Sequence, residues 1–244
     1  MKEWINGRNP VYEVLKAHRR QCFRLLIARG VDEKGRLQEI MRLAQERRIP
    51  SFYVPRQELD AMDENHQGVA LETSGYPYSD LQSILQVAEE RQEPMFILAL
   101  DVIQNPQNLG TLLRTAEAVG VQGVLMPLAR AAGVTPAVVH ASAGASEHLL
   151  VAALNLAQAL NTLKKEGAWV IGLEGGQEAA PAETVNLKGP LVLVVGSEGE
   201  GMRLLTRKSC DVLLKLPMLG RIESLNASVA GSIVLYMALM ARQK

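Results

Sequence analysis

Leu191-Val192-Leu193-Val194-Val195 runs without a break into Gly196-Ser197-Glu198-Gly199-Glu200-Gly201. An apolar run this short, rich in β-branched residues and closed by glycine, reads as a strand buried on both faces. The glycine loop then falls at the strand's carboxyl end, where open parallel sheets bind their ligands. Loops that cradle phosphate leave backbone N–H groups free and place a lysine nearby. Here that lysine is missing, the glycines are spaced GxxGxG, and Glu198 and Glu200 stand between them. Two carboxylates repel a pyrophosphate and suit a cationic or neutral ligand.

Further apolar runs flank this strand at Met95 to Asp101, Gly123 to Met126, Ala168 to Leu173 and Val212 to Leu216. Between them lie amphipathic stretches at 108–119, where Leu109, Leu112, Leu113, Ala116 and Val119 share a face, at 155–166, and at 226–242. Continuous apolar strands alternating with helices predict an α/β domain with a parallel sheet covered on both faces, spanning 94–244. The small residues of 141–146 predict a tightly packed loop or helix start.

A smaller α/β unit precedes it. Asn9-Pro10 predicts a helix start, with Val11, Val14 and Leu15 as the apolar face. Strands are expected at Phe23 to Ala28, Ser51 to Val54 and Gly68 to Glu72, and a charged amphipathic helix at 34–48. The turn-rich Thr73-Ser74-Gly75-Tyr76-Pro77-Tyr78 ends a unit of residues 1–75. Residues 76–93, with an acidic helix at 79–92, connect the two domains.

The 244 residues carry no net charge, yet the charge is unevenly spread. Residues 1–50 hold 12 Lys/Arg against 6 Asp/Glu, whereas residues 51–93 hold 2 against 9. A basic first segment in a neutral chain points to a local polyanion-binding face. Arg8, Arg19, Arg20, Arg24 and Arg29 are the candidate contacts, with Tyr12, Phe23 and Tyr53 as the few rings available for stacking. No apolar stretch reaches the roughly 18 residues of a spanning helix, and the amino terminus lacks a secretory core. Two distant cysteines argue against a disulfide framework or a zinc site and for a reducing, cytoplasmic setting. No His/Cys/Asp/Glu grouping has metal-ligand spacing, and the four histidines read as surface or structural residues.

Three separated motifs stand out in the second domain. They are Asn105-Pro106-Gln107-Asn108-Leu109-Gly110 running to Arg114, the glycine loop through Met202, and Leu216-Pro217-Met218 followed by Ser224-Leu225-Asn226-Ala227-Ser228. In this order they resemble the SpoU/TrmH (SPOUT) family of RNA ribose 2′-O-methyltransferases, which use S-adenosylmethionine. Ile5-Asn6-Gly7-Arg8-Asn9-Pro10-Val11 is similar to the start of the small L30e-like RNA-binding domain of many members. The resemblance spans essentially the whole chain.

That resemblance implies a deep trefoil knot in the carboxyl-terminal domain, which general topology rules would not predict. It also implies a homodimer with its active site near the subunit interface. Gly196, Leu216 and Leu225 would line the cofactor pocket, helped by Ser197 and Met218. A sulfonium cofactor without phosphate is compatible with the acidic loop. The catalytic set would be Arg114, Asn108, Glu198, Ser224 and Asn226. A guanidinium scarcely deprotonates, so Arg114 is expected to clamp a phosphate or orient the 2′-hydroxyl while water takes the proton. Asn108 is expected to cap its helix, Glu198 to orient Arg114 or accept a ribose donor, and Ser224 and Asn226 to stand at the last helix's amino end. The two-domain layout implies a guanosine of 23S ribosomal RNA as target. Alternatives are a tRNA or another rRNA nucleotide, a non-catalytic RNA-binding assembly factor, or a nucleotide-dependent α/β enzyme that the acidic loop disfavours.

Overall fold

The structure, a computed structural model, describes residues 2–129 and 131–243 and divides into two units. The first unit opens with β1 (Lys2–Asn6), α1 (Arg8–Ala17) and β2 (Cys22–Ala28). It continues through α2 (Arg36–Glu46), β3 (Ser51–Val54), α3 (Arg56–Asp60) and β4 (Val69–Ser74). Its mixed sheet has the order β1-β4-β2-β3, antiparallel on both sides of β4 and parallel between β2 and β3. Val11, Val14 and Leu15 of α1 and Leu37 and Ile40 of α2 are buried together with Leu25, Ile27 and Leu71 of the sheet. α1 begins at Arg8, with Gly7 at the cap in a left-handed φ of 91°. Asn9 is therefore inside the helix and not its cap, and Pro10 sits in the first turn, where it removes no hydrogen bond.

The second unit runs from α4 (Leu81–Arg91) and β5 (Phe96–Asp101) to α5 (Pro106–Ala118) and β6 (Gly123–Pro127). The chain then leaves it. Gly133–His148, carrying α6 (Pro136–Ala141) and a 3₁₀ turn (Ala145–His148), belongs to the first unit. A Cβ on Gly144 would lie 2.6 Å from Glu13 Cβ, so the small-residue run 141–146 is small because α1 presses on it. The second unit resumes with β7 (Val151–Leu154), α7 (Leu156–Lys165), β8 (Trp169–Leu173), the two-residue β9 (Ala180–Pro181) and β10 (Leu191–Gly196). It ends with α8 (Leu204–Lys208), β11 (Val212–Lys215) and α9 (Ala227–Arg242). This division departs from a contiguous domain at 94–244: α4 is part of the second unit, and 133–148 is not.

Among the described residues the second sheet has seven strands in the order β7-β6-β5-β10-β8-β11-β9, every pairing parallel. The apolar run 191–195 is its central strand, fully buried between β5 and β8. Val192 and Val194 pack on one face with Ile84 of α4 and Leu160 and Leu163 of α7. Val195 faces the other way, against Gly231 of α9, and a Cβ on that glycine would also strike Leu112 of α5 at 2.7 Å. Alternate residues of one strand thus meet helices on opposite faces, which is why the run shows no polar alternation. No helix among the described residues is long and apolar enough to cross a membrane.

Candidate active site

Three sequence-distant segments converge at the carboxyl end of β10. The glycine loop closes on itself through Ser197 N–H to Gly201 O (3.0 Å) and Gly201 N–H to Ser197 O (3.1 Å). A Cβ on Gly196 would lie 2.4 Å from the Gly201 carbonyl carbon, so only glycine lets the loop fold back over the strand end. Asp101, the fully buried last residue of β5, anchors the loop's exit. It accepts from the Arg203 backbone N–H and the Arg203 Nε, each at 2.7 Å.

Asn226 ties the segments together. Its Oδ1 caps α9 by accepting from Ser228 N–H (2.9 Å) and Val229 N–H (3.2 Å). Its Nδ2 donates to Asn108 Oδ1 (3.1 Å) and to a Glu198 carboxylate oxygen. The Ser228 hydroxyl completes the cluster, 2.6 Å from Asn226 Oδ1 and 3.3 Å from Asn108 Oδ1. One residue from each motif therefore meets at one side chain. Asn108 does not cap its helix; Asn105 does, accepting from Gln107 N–H at 2.9 Å, so the Asn108 side chain is left for this buried cluster. Glu198 holds Asn226 and makes no bond to Arg114 among the described residues.

Three cavities border the glycine loop, and two of them meet the cluster. The larger encloses about 680 Å³ and brings together Gly196, Ser197, Glu198, Leu216, Met218, Ser224, Leu225 and Asn226. Its apolar side comes from Leu216, Leu225, Met218 and Ala230, its acidic side from Glu174, Glu198, Glu200 and Glu223. Arg207 and Lys215 also line it, but neither makes a free phosphate clamp. Arg207 Nε donates to Glu174 (2.8 Å) and its Nη2 to Glu178 (2.6 Å), and Lys215 Nζ donates to Gly176 O (3.1 Å). That donor set fits a cationic nucleoside with an apolar ring system better than a phosphate ester. The smaller cavity, about 300 Å³, lies between the glycine loop and residues 102–108. Val102 at its edge has φ 62°, a left-handed conformation that a β-branched residue adopts only under strain.

Sequence reasoning missed Glu174, Arg207 and Lys215, which adjoin the cavity only because β8 lies next to β10 and β11 next to β8, and Gln104 beside the first motif. Arg114 lines neither cavity. It is exposed on α5 and makes no hydrogen bond or ion pair among the described residues. Its neighbour Thr115 bonds Ser232 of α9 through their hydroxyls at 2.9 Å, so Arg114 emerges alongside α9. The exposed face of α9 carries Val229, Ile233, Tyr236 and Met240, an apolar stripe at helical spacing.

In the first unit the five candidate arginines divide. Arg20 is no nucleic-acid contact: its side chain is fully buried and forks onto Glu147 through Nε and Nη2, both at 2.8 Å, with Glu3 at 2.9 Å. Arg19 is likewise committed to structure, donating to Tyr76 Oη and to the carbonyls of Pro77 and Glu147. Apart from Glu3, 17 residues from Arg20, their partners lie more than 50 residues away in sequence, so nothing local distinguishes them from surface arginines. Arg8 spans Gln67 O (3.2 Å) and Asp32 O (3.1 Å), Arg24 lies over the Trp4 ring beside Glu72, and Arg29 is exposed. Tyr12 lies under the Arg36 guanidinium, Phe23 under the Lys2 ammonium, and Tyr53 donates to Glu33. No group of three or more His/Cys/Asp/Glu among the described residues is placed to hold a metal ion.

Residues 95–236 match the SpoU rRNA methylase family, and residues 4–79 match the RNA 2′-O ribose methyltransferase substrate-binding family. The chain is 40% identical over 243 residues to RlmB of Pseudomonas putida, a 23S rRNA (guanosine-2′-O-)-methyltransferase, covering 99% of this chain and 97% of that one. It is 42% identical over 238 residues to YacO of Bacillus subtilis, placed in the TrmH family of tRNA/rRNA methyltransferases, covering 96% and 94%. In fold it is similar to the SpoU methyltransferase AviRb of Streptomyces viridochromogenes in complex with AdoMet. That likeness has a TM-score of 0.81 at 21% identity and covers 98% of this chain and 90% of AviRb.

Proposed function

Because the chain belongs to the SpoU family of S-adenosylmethionine-dependent RNA 2′-O-ribose methyltransferases, we propose that it methylates a guanosine of 23S ribosomal RNA, as a knotted homodimer in the cytoplasm. The observation that carries this reading is the Asn226 cluster. One side chain fixes the glycine loop, the first motif and the last helix around a single cavity. The guanosine and the ribosomal RNA follow one of the relatives that match from end to end, the Pseudomonas putida enzyme.

When bound, S-adenosylmethionine supplies an electrophilic methyl group on a sulfonium sulfur. The chain's own residues supply position and charge. Leu216, Leu225 and Met218 offer apolar contact to the adenosine, and the backbone at Gly196 and Ser197 offers polar contact. Glu198 presents negative charge to a sulfonium, and its bond from Asn226 and the closed glycine loop keep it fixed in place. Holding two reactants at attack distance supplies a large share of the rate in such a displacement. Arg114 orients the 2′-hydroxyl or clamps the adjoining phosphate, and water receives the proton, because guanidinium stays charged.

Arg114 lines neither cavity of its own chain, and in this reading a second copy supplies it. The apolar stripe of α9 is the surface such a copy would cover, and Arg114 emerges beside it. The first unit, read as an L30e-like domain, holds RNA through Arg8, Arg24 and Arg29. The carboxyl-terminal segment with α9 is read as the part threaded through the knot.

Mapping ribose methylation in total RNA from a deletion strain, by protection from alkaline hydrolysis, tests the reading. One 23S guanosine should lose its protection and regain it with the wild-type gene but not with Arg114→Ala. A lost mark in tRNA, or none in any RNA, would refute it.

A further inference from the structure

Among the described residues Glu200 has no partner. Its carboxylate makes no hydrogen bond or ion pair among them, although it borders both the cofactor cavity and the smaller one beside it. The loop that presents it is firmly held. Gly199 (φ 85°) and Gly201 (φ 70°) flank it in left-handed turns, Ser197 and Gly201 close the loop, and the next anchor is the Asp101–Arg203 pair. A rigidly presented carboxylate facing RNA, a polyanion, is unfavourable unless it meets a hydrogen-bond donor there.

The small cavity offers one kind of donor a place. It adjoins the cofactor cavity, so a nucleotide whose ribose is to be methylated has its base within reach of it. Its other polar lining is the amides of Gln104, Asn105 and Asn108, with Ser197 and the Glu198 carboxylate that Asn226 already holds. Splayed nucleotides are read on their Watson–Crick edges. Guanine presents two adjacent donors there, N1–H and N2–H₂, matching the two oxygens of a carboxylate, with the O6 acceptor beside them. Adenine places the N1 lone pair where guanine has a donor, and uracil has a single donor between two carbonyls.

We propose that Glu200 is the base-reading residue, accepting from guanine N1–H and N2–H₂ in the small cavity while Gln104 donates to O6. This rests on the guanosine reading above and adds the residue that enforces it. The site rejects adenosine because a carboxylate and a ring lone pair would face each other without a proton between them.

The test uses a synthetic RNA hairpin spanning the mapped position, with guanosine, inosine or adenosine as the target, and full-length enzyme. Inosine lacks only the N2 amine, so wild-type kcat/KM should fall about tenfold or more from guanosine to inosine, one charge-assisted hydrogen bond being lost. Glu200→Ala should methylate guanosine and inosine equally within about twofold, with cofactor affinity by titration calorimetry unchanged. Glu200→Gln can turn its amide donor to the adenine N1 lone pair, while the Gln104 amide oxygen accepts from N6–H₂, and should raise adenosine relative to guanosine about tenfold. An unaltered guanosine-to-inosine ratio in Glu200→Ala overturns the proposal. So does an equal loss on both RNAs that follows cofactor affinity, since Glu200 would then serve the sulfonium. A mapped target other than guanosine overturns it while leaving RNA methyl transfer intact, and no methylation of any RNA removes both.

Discussion

Replacing Asn226 with aspartate separates its two jobs. The carboxylate still accepts from the Ser228 and Val229 N–H groups, and Asp caps a helix as well as Asn. A negative charge at the amino end of α9 adds about 0.3–1 kcal/mol of favourable dipole interaction. The donated bonds are lost. The bond to Asn108 Oδ1 is worth about 1 kcal/mol and the one to the charged Glu198 about 1.5 kcal/mol, the low end because Glu198 is solvent-exposed. Two carboxylates would then face each other at hydrogen-bond distance. The loop escapes by moving out, so the loss of about 2–3 kcal/mol falls on loop position and not on global stability. It corresponds to about a hundredfold lower population of the assembled site.

Single-turnover transfer from tritiated S-adenosylmethionine should therefore drop about a hundredfold in Asn226→Asp at neutral pH. It should recover partly below about pH 6, where the carboxylate pair shares a proton. Thermal stability should stay close to wild type, whereas Asn226→Ala, which also loses the cap, should cost a further 0.5–2 kcal/mol or so. An Asn226→Asp enzyme within about twofold of wild-type turnover from pH 6 to 8 would refute the reasoning. Asn226→Asp melting as low as Asn226→Ala would refute it too.

Mixing inactive Arg114→Ala and Asn226→Asp chains should restore about a quarter of wild-type activity, because half of randomly paired dimers are mixed and each holds one complete site; no recovery would place Arg114 in its own chain's site. Glu147→Ala should destabilise the first unit by about 3 kcal/mol in urea denaturation, since it strips a fully buried guanidinium of its bidentate partner and leaves Glu3 as the remaining carboxylate. Val102→Gly, which relieves a left-handed valine, should change stability by less than about 1 kcal/mol, whereas an unstrained valine would lose more. Burial pushes the Tyr76 phenol and the Cys210 thiol each up to about 12, with Asp211 and Glu174 adding to the shift at Cys210. Both groups keep their protons in the folded chain after the unfolded chain has begun losing them, so stability should fall as pH rises from about 9 towards 12. Flat stability across that range would contradict the buried environments.

The sequence alone indicated the strands, expected at 51–54, 95–101 and 191–195, the helices, expected at 34–48, 155–166 and 226–242 and found within one or two residues of those bounds, and the parallel character of the second sheet. Those elements are encoded locally, in apolar runs, helical periodicity and terminal glycines. The family resemblance of the motifs also brought together Gly196, Ser197, Leu216, Met218 and Leu225, which line the larger cavity, but not Arg114, which lines neither. Only tertiary structure decided what each polar side chain faces. Asn105 and Asn108 both suit a helix start, and the choice of Asn105 as cap frees Asn108 for a cluster whose partner lies 118 residues away. Arg20 and Arg29 look alike in a basic segment, yet one is sealed against Glu147, delivered by an excursion of the chain from β6 into the first unit. A side chain's local pattern fixes which way it can point. Whether water, a counter-charge or a cavity waits there depends on chain that folds in from far away.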